Sequence, residues 1–304
     1  MTDSSQTRLA YVAEVTYGTT PATPVFKKAR ITGESLSPSI QYVSSNEIRP
    51  DRNVADMTRV GQEAAGDINF ELSYGSFDDF LESLMYSTWA TNVLKNGVTR
   101  KSFTIEKTYA ATANQFHRYP GSVVNSLSLN MRAKEIVTGS FNIMCQTTTS
   151  AQAIISGATY TEPNANPVIN AANNFASLSI TGGGTVQLMS LSLNITNNLE
   201  QQPVMGQVAS KGIRAGQCVV TGEMEAYFDS QELFELFLAD TAADLTFSLG
   251  GASTLKYVFF IPKLKLTANN VSADGNNQDV MQKISFQAYF DATTAAQLRI
   301  TRTP

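Results

Sequence analysis

The stretch DINFELSYGSFDDFLESL, residues Asp67–Leu84, changes its hydrophobic period once and thereby decides the fold. Its first part alternates apolar and polar residues, and this period of two is typical of a half-buried strand. Its second part has apolar residues at the spacing of one helical face: Phe77, Phe80, Leu81 and Leu84. Ser76 stands where it can cap that helix, with Asp79 three residues later. We therefore predict a strand followed by a short amphipathic helix.

The same order of patterns returns in the second half of the chain. MSLSLNI answers ESLSPSI, with Ile195 and Ile40 155 residues apart, and TGEMEAYF answers AGDINFEL. SQELFELFL answers SFDDFLESL, with Ser230 as the second candidate cap, 154 residues after Ser76. A closing strand pair also recurs, with Leu127 and Leu129 matching Leu264 and Leu266 at an offset of 137, and Phe141 matching Phe286 at 145. Ordered repetition of this kind predicts an internal duplication.

The predicted fold class is mostly β with short flanking helices, in two tandem copies of one domain. The expected divisions are an N-terminal arm (1–30), a first domain (31–146), a linker with a possible strand pair (147–187) and a second domain (188–304). Asn96-Gly97 favours a tight hairpin turn. Gly182–Gly184 lie between two strand-like segments, where we expect a hairpin turn instead of a phosphate-binding loop.

Composition excludes several classes of protein. Charged residues make up 16% of the 304 residues and the formal net charge is -4, so the clustered cations that grip nucleic acid are lacking. The longest apolar runs fall far short of the ~20 residues that span a bilayer, so no membrane association is expected. The N-terminus has no signal-peptide pattern, which favours synthesis in a reducing cytoplasm.

The residues that could carry chemistry have simpler interpretations. His117 is the one histidine and is expected in a loop, while Cys145 closes an alternating strand and should face the core. Asp78, Asp79 and Glu82 are expected on the solvated side of a helix, where acids complement its dipole. We predict no enzyme activity, catalytic residue, cofactor or metal.

The polar stretch Ser44–Gly66 is long for a loop inside a domain and mixes charges of both signs. It can interlock with another subunit, or be a solvated loop without a partner. The predicted assembly residues are Glu47, Arg49, Asp51, Arg52, Arg59 and Glu63. Its counterpart Asn197–Gly216 has fewer charges, so the two loops should meet different surroundings.

Three segments resemble the major tail tube proteins of long-tailed, siphovirus-type bacteriophages: GTTPATPVFKKARITGESL, NEIRPDR and GDINFELSYGSFDDFLESL. The resemblance implies two tail-tube-type β-sandwich or barrel domains and a structural subunit of the virion tail, made in the host cytoplasm. It implies self-assembly into stacked rings around the DNA ejection channel. Because single-copy tube proteins form hexameric rings, two copies per chain imply a homotrimer with pseudo-sixfold symmetry.

The partners implied are other copies of the chain, a tape measure and a tail terminator protein, with DNA passing through the lumen without specific binding. Two alternatives remain at this point. One is a duplicated β-sandwich module that recognises a host-surface glycan. The other is the inner tube of a contractile secretion device.

Overall fold

The computed structural model describes residues 6–109, 115–273 and 275–304. Within these ranges it has two short helices, α1 (Asp78–Met85) and α2 (Glu232–Leu238), and twenty strands. The strands are β1 (Arg8–Ala13), β2 (Val25–Lys28), β3 (Gly33–Glu34), β4 (Ser37–Ser44), β5 (Met57–Glu71), β6 (Val93–Lys95), β7 (Phe103–Tyr109), β8 (Gln115–Arg132), β9 (Thr138–Cys145), β10 (Thr149–Ala151), β11 (Thr159–Thr161), β12 (Phe175–Ile180), β13 (Leu188–Thr196), β14 (Glu200–Gln202), β15 (Gly212–Arg214), β16 (Val219–Tyr227), β17 (Ala243–Gly250), β18 (Lys256–Ser272), β19 (Met281–Ala288) and β20 (Arg299–Thr303). The predicted mostly-β fold with short helices is confirmed.

In the first half, antiparallel pairing gives the strand order β4-β5-β9-β8-β7-β1. The long strand β8 serves two layers: its first part, Gln115–Ser122, pairs with β7, and its second part, Val123–Asn130, pairs with β9. An irregularity in each pairing lets the strand turn between the layers.

In the second half, antiparallel pairing gives the order β13-β16-β19-β18-β17-β12. The long strand β18 again serves two layers, pairing with β17 through Lys256–Leu264 and with β19 through Leu264–Ser272. Strand β20 adds to the outer layer by pairing with β18 and with β6 of the first half.

The two halves are joined into one eight-stranded sheet, which we call the inner sheet. Strand β13 pairs with the second part of β8, from Ser190 opposite Arg132 to Thr196 opposite Ser126. The inner sheet therefore runs through eight strands in the order β4-β5-β9-β8-β13-β16-β19-β18. We call the β8–β13 junction the internal seam.

The core lies between the inner sheet and the outer strands, because alternation along each strand buries one face. Leu127 and Leu129 of β8 are almost fully buried, as are Leu191 and Leu193 of β13. An aromatic cluster fills the first half, where Phe70 stacks on Phe141 with ring centroids 4.8 Å apart and also contacts Phe77. Fully burying a side chain of this size contributes about 1.5–3 kcal/mol, so this cluster anchors α1 on the sheet.

The termini of the two helices differ from the prediction. The N-cap of α1 is Phe77 and that of α2 is Gln231, and neither makes a side-chain capping bond. Ser76 Oγ bonds instead to Ser73 Oγ, 2.6 Å away, and Ser230 Oγ lies 3.3 Å from the Glu232 carboxylate. The predicted serine caps are wrong because other side chains bind both hydroxyls.

Neither of the two predicted hairpin turns joins paired strands. After Asn96-Gly97 the chain does not fold back on β6, which pairs with β20, and the Asn96 side chain accepts from the N–H groups of Gln297 and Leu298. Gly182–Gly184 do form a turn, but β12 pairs with β17 and β13 with β16 and β8. Both predictions were wrong because β6, β12 and β13 pair with strands distant in the sequence.

The segments expected to be an arm and a linker both contain strands. Residues 1–30, of which 1–5 lie outside the described residues, include β1 and β2 paired with each other. Residues 147–187 include β10, β11 and β12, which pair with β8, β2 and β17 respectively. His117, expected in a loop, is instead on β8 opposite Lys107.

Candidate functional site: open sheet edges and a polar face

The inner sheet has two open edges in the part of the chain that the structure describes. One edge is β4, in which all eight residues are exposed, and the other is the end of β18, Thr267–Ser272. Unpaired edges of this kind are templates for pairing with another chain.

The direction of the backbone on β4 identifies the groups that the open edge offers. The backbone N–H of Gln62 on β5 donates to the Val208 carbonyl, 3.0 Å away. This N–H therefore points away from β4. Ile40 lies opposite Gln62, so its own N–H points to the open edge. Pro38 has the same orientation two residues earlier and has no N–H, a common protection of edge strands.

At one end of the internal seam lies the amide of Asn197, a residue that is only 4% exposed. Its Nδ2 donates to the carbonyls of Leu84 (2.8 Å) and Val124 (3.2 Å). Its backbone N–H donates to the carbonyl of Asn125, 2.8 Å away, the extra residue at the irregularity in β8. One side-chain amide therefore supplies hydrogen bonds to a carbonyl at the end of α1 and to a carbonyl beside the bend of β8.

The start of α1 is tied to the second half through Asp78. Its carboxylate accepts from the Tyr257 hydroxyl and from the Arg302 guanidinium, and the Tyr257 oxygen accepts the Gly75 N–H at 2.7 Å. Burial, with the Asp78 charge beside it, raises the pKa of Tyr257 well above its usual range, so the phenol remains a donor.

The other acids of α1 are also paired, so the predicted solvated acidic face is wrong. Asp79 accepts from Tyr11 at 3.0 Å and from Lys27 at 2.6 Å. Glu82 is buried, accepts the Trp89 N–H at 2.7 Å and pairs with Lys101. Sequence spacing placed these acids on the polar side of the helix, but strands distant in sequence cover that side.

The face of the inner sheet opposite the core is polar and concave. Serine, asparagine and threonine dominate it: Ser126, Ser128, Asn130, Ser140, Asn142, Ser190, Ser192, Asn194, Thr196, Asn270 and Ser285. A depression of about 690 Å³ lies where β8, β13, β16, β18 and β19 pass. Carboxylates outnumber cations on this face, with Glu63, Asp67, Glu71, Glu223 and Glu225 against Arg132, Lys265 and Lys283. Lys283 is 3.7 Å from Glu225. We call this surface the polar face.

The predicted assembly residues fall on two parts of an exposed hairpin. Glu47, Arg49, Asp51 and Arg52 lie in the β4–β5 connection, which is shorter than expected because β5 begins at Met57. Arg59 and Glu63 lie on β5 itself, opposite Tyr42 and Ser39. The six residues are therefore not one loop, and Glu63 belongs to the polar face.

The connection between β4 and β5 is ordered by its own charges. Arg49 holds Asp51 through two bonds, Nε to Oδ1 at 3.0 Å and Nη2 to Oδ2 at 2.8 Å. These bonds lower the pKa of the Asp51 carboxyl well below its usual range. The same segment exposes apolar side chains, since Ile48 is 96% and Val54 68% exposed. An ordered, apolar and charged protrusion fits a contact with another protein.

The groups considered for catalysis do not form a reactive site. Cys145 is fully buried and accepts a hydrogen bond from Ser122 at 3.1 Å, and burial raises the pKa of its thiol to about 12. The His117 ring packs edge-on against Tyr109 at 5.2 Å. Across the described ranges, no three His, Cys, Asp or Glu side chains are grouped to hold a metal ion. No described helix has the length and apolar character needed to cross a membrane.

Sequence reasoning missed Asn197, Asn125 and the two open edges. Asparagine is common throughout this chain, so nothing in the local pattern distinguishes the buried amide from those on the polar face. The edges depend on which strands pair, which alternation alone does not specify.

Comparison with models of protein families gives a match over residues 4–288 to the family described as phage tail tube protein. No curated protein matches the chain.

Proposed function

We propose that this chain, which belongs to the phage tail tube protein family, assembles with copies of itself into the stacked rings of a long phage tail. Membership makes it a structural protein of the virion tail and not an enzyme. The observation that carries the ring proposal is the pair of open edges at opposite ends of one inner sheet.

Strand pairing supports an internal duplication. Two irregularities in β8, after Tyr119 and at Asn125, recur in β18 after Ile261 and at Thr267, with the same separation along the sequence in both cases. Strand β16 is the equivalent of β5, since Glu223 lies opposite β19 where Asp67 lies opposite β9. Chance alternation would not repeat two bulges at one offset.

Equivalent glycines support the same conclusion. Gly66 directly precedes Asp67, and Gly222 directly precedes Glu223. A Cβ added to Gly66 would lie 2.5 Å from backbone atoms of Leu36, and one added to Gly222 would lie 2.5 Å from a backbone atom of Ser192. The pairing also gives the difference in residue number between equivalent positions of the two halves. It is 157 for β4 and β13 and 142 for β8 and β18, where the sequence pattern favoured 155 and 137. Bulges change the residue count without changing the apolar pattern.

The internal seam then predicts how neighbouring chains join. Asn194 lies opposite Ser128 in the seam, and their equivalents are Ser37 on β4 and Asn270 on β18. We expect Ser37 of one chain to pair with Asn270 of the next, and Ile40 to pair with Thr267. Edge pairing of this kind is head to tail, the type of interface that forms a ring when the rotation between neighbouring chains closes.

Three chains would give the pseudo-sixfold ring of six domains. With eight inner strands in each chain, the ring would hold about 24 strands, which at ~4.8 Å spacing give a diameter of at least about 37 Å. That width admits a DNA duplex past short polar side chains. The homotrimer is therefore the assembly that the edges favour.

The polar face would line the lumen. It has no large basic cluster, and its carboxylates exceed its cations, so phosphate groups would not be held and DNA could slide. DNA would be a passing partner and not a bound ligand.

The β4–β5 hairpin would make contact between rings or with the tape measure and tail terminator proteins. Its exposed apolar residues and the paired charges of Arg49 and Asp51 support a protein contact. Glu47, Arg52 and Arg59 would belong to this surface, whereas Glu63 would lie on the polar face.

Electron microscopy of the purified protein, with analytical ultracentrifugation, tests the proposal. We expect threefold rings or tubes for the wild type. Ile40→Pro removes the outward N–H of β4 and should prevent ring formation, and Ile40→Val is the matched control that keeps this N–H and an apolar side chain. A wild-type protein that stays monomeric at high concentration, or that binds a glycan as a monomer, would overturn the proposal.

A further inference from the structure

We infer that the seam between subunits is closed by an apolar contact between Ile40 of one chain and Leu238 at the end of α2 in the next. In the internal seam the equivalent positions are Asn197 and Leu84, which form a hydrogen bond. This inference rests on the proposed ring and names the residues that complete it.

The strand equivalence fixes one partner. Because β4 and β13 are equivalent strands with Ser37 matching Asn194, Ile40 matches Asn197 three positions later. The pairing agrees, because Ile40 lies opposite Gln62, and the equivalent of Gln62 is Cys218, which adjoins the last pair of β13 and β16. Ile40 therefore stands on the open edge where Asn197 stands in the internal seam.

The helix equivalence fixes the other partner. A left-handed residue follows each helix, directly after α1 (Tyr86, φ 50°) and after one further residue in α2 (Asp240, φ 48°). The terminal backbone bonds repeat in the same relation: Ser87 N–H to Glu82, and Thr241 N–H to Leu236. Leu238 is therefore the equivalent of Leu84.

Exposure indicates that the two positions lack their neighbour in the single chain. Asn197 is 4% and Leu84 0% exposed in the internal seam, whereas Ile40 is 42% and Leu238 67% exposed. Two exposed apolar side chains at these positions fit each other, and Ile40 has no amide to donate to the Leu238 carbonyl as Asn197 donates to the Leu84 carbonyl. Burial of both apolar side chains would exclude water from the edge.

The two seams would then differ in chemistry while sharing a backbone pairing. A buried amide fixes the internal seam, and an apolar contact closes the outer one. This difference would make the ring threefold at its seams although its strands follow sixfold symmetry.

Crosslinking of mixed single-cysteine variants tests the contact. Ile40→Cys and Leu238→Cys proteins are mixed before assembly and treated with a short bis-maleimide. We expect a covalent dimer from the mixture and a several-fold weaker band from either variant alone. In the matched control Ile136→Cys replaces Leu238→Cys, because Ile136 is 44% exposed and lies on the connection between β8 and β9. Wild-type protein gives the background from Cys145 and Cys218.

A second measurement keeps the test independent of reagent access. Ile40→Asp should raise the concentration needed for half assembly at least tenfold, whereas Ile136→Asp should change it less than twofold. If rings form but the Ile40 and Leu238 variants give no more dimer than the Ile136 control, this contact is wrong while the proposed function stands. If the wild type forms no rings, the proposed function itself fails.

Discussion

Replacing Asn197 with alanine should destabilise the subunit more than any other single asparagine replacement on β13 or directly after it. The substitution removes the Nδ2 bonds to the Leu84 carbonyl at 2.8 Å and to the Val124 carbonyl at 3.2 Å. The backbone N–H bond to Asn125 remains, so the strand pairing itself is not changed.

The magnitude follows from the burial of these groups. A net hydrogen bond contributes about 0.5–1.5 kcal/mol, and leaving a buried carbonyl without its donor costs about 1–3 kcal/mol. Two carbonyls lose a donor here, and the helix carbonyl of Leu84 lies where α1 ends. We expect the free energy of unfolding to fall by about 2–4 kcal/mol.

Urea unfolding at neutral pH, followed by fluorescence of the single tryptophan, Trp89, measures this change. The matched control is Asn194→Ala, which removes the same amide from the polar face of β13 and should cost less than about 0.5 kcal/mol. Equal losses for the two variants would refute the assignment of Asn197 as the clamp of the internal seam.

Three further outcomes are expected. Gly222→Ala should lower the unfolding free energy by about 1–3 kcal/mol, because its Cβ would lie 2.3 Å from the Phe286 ring. Gly33→Ala, whose Cβ would have no atom nearer than 3.6 Å, should leave the unfolding free energy unchanged. Similar melting temperatures for the two variants would contradict this. Bonds from Thr294, and Lys263 beside it, lower the pKa of Asp291 to about 2. Its contribution should be complete above about pH 4 and disappear as the pH falls through about 2, so wild type and Asp291→Asn should converge in stability there, and an NMR titration midpoint near the usual 4 would contradict it. Burial raises the thiol pKa of Cys145 to about 12 and of Cys218 to about 11, so neither should react with a disulfide reagent at pH 8 until urea unfolds the chain, and rapid reaction of native protein would count against this packing.

The elements with strong periodicity were predictable because a local pattern is sufficient for them. The pattern of Asp67–Leu84 predicted its strand and helix correctly, and so did the patterns of the later segments TGEMEAYF and SQELFELFL. The helix caps and hairpin turns were wrong, since hydroxyls and edges there bind groups from distant parts of the chain.

The candidate site was predictable only in part for the same reason. The charged stretch was correctly expected to be exposed, but its residues divide between a connection and a strand, which places Glu63 away from Arg49. The acids of α1 looked solvated because the sequence does not show that Tyr257 and Arg302 reach Asp78 from the other half.

The sequence by itself determined that this protein is a mostly-β chain whose strand and helix patterns occur twice, because periodicity and order are properties of the chain alone. Only the tertiary structure decided which strands pair, at which offset, and therefore which two edges remain open. Alternation repeats every two residues and is compatible with several registers, so bulges and buried contacts such as Asn197 with Leu84 select one of them.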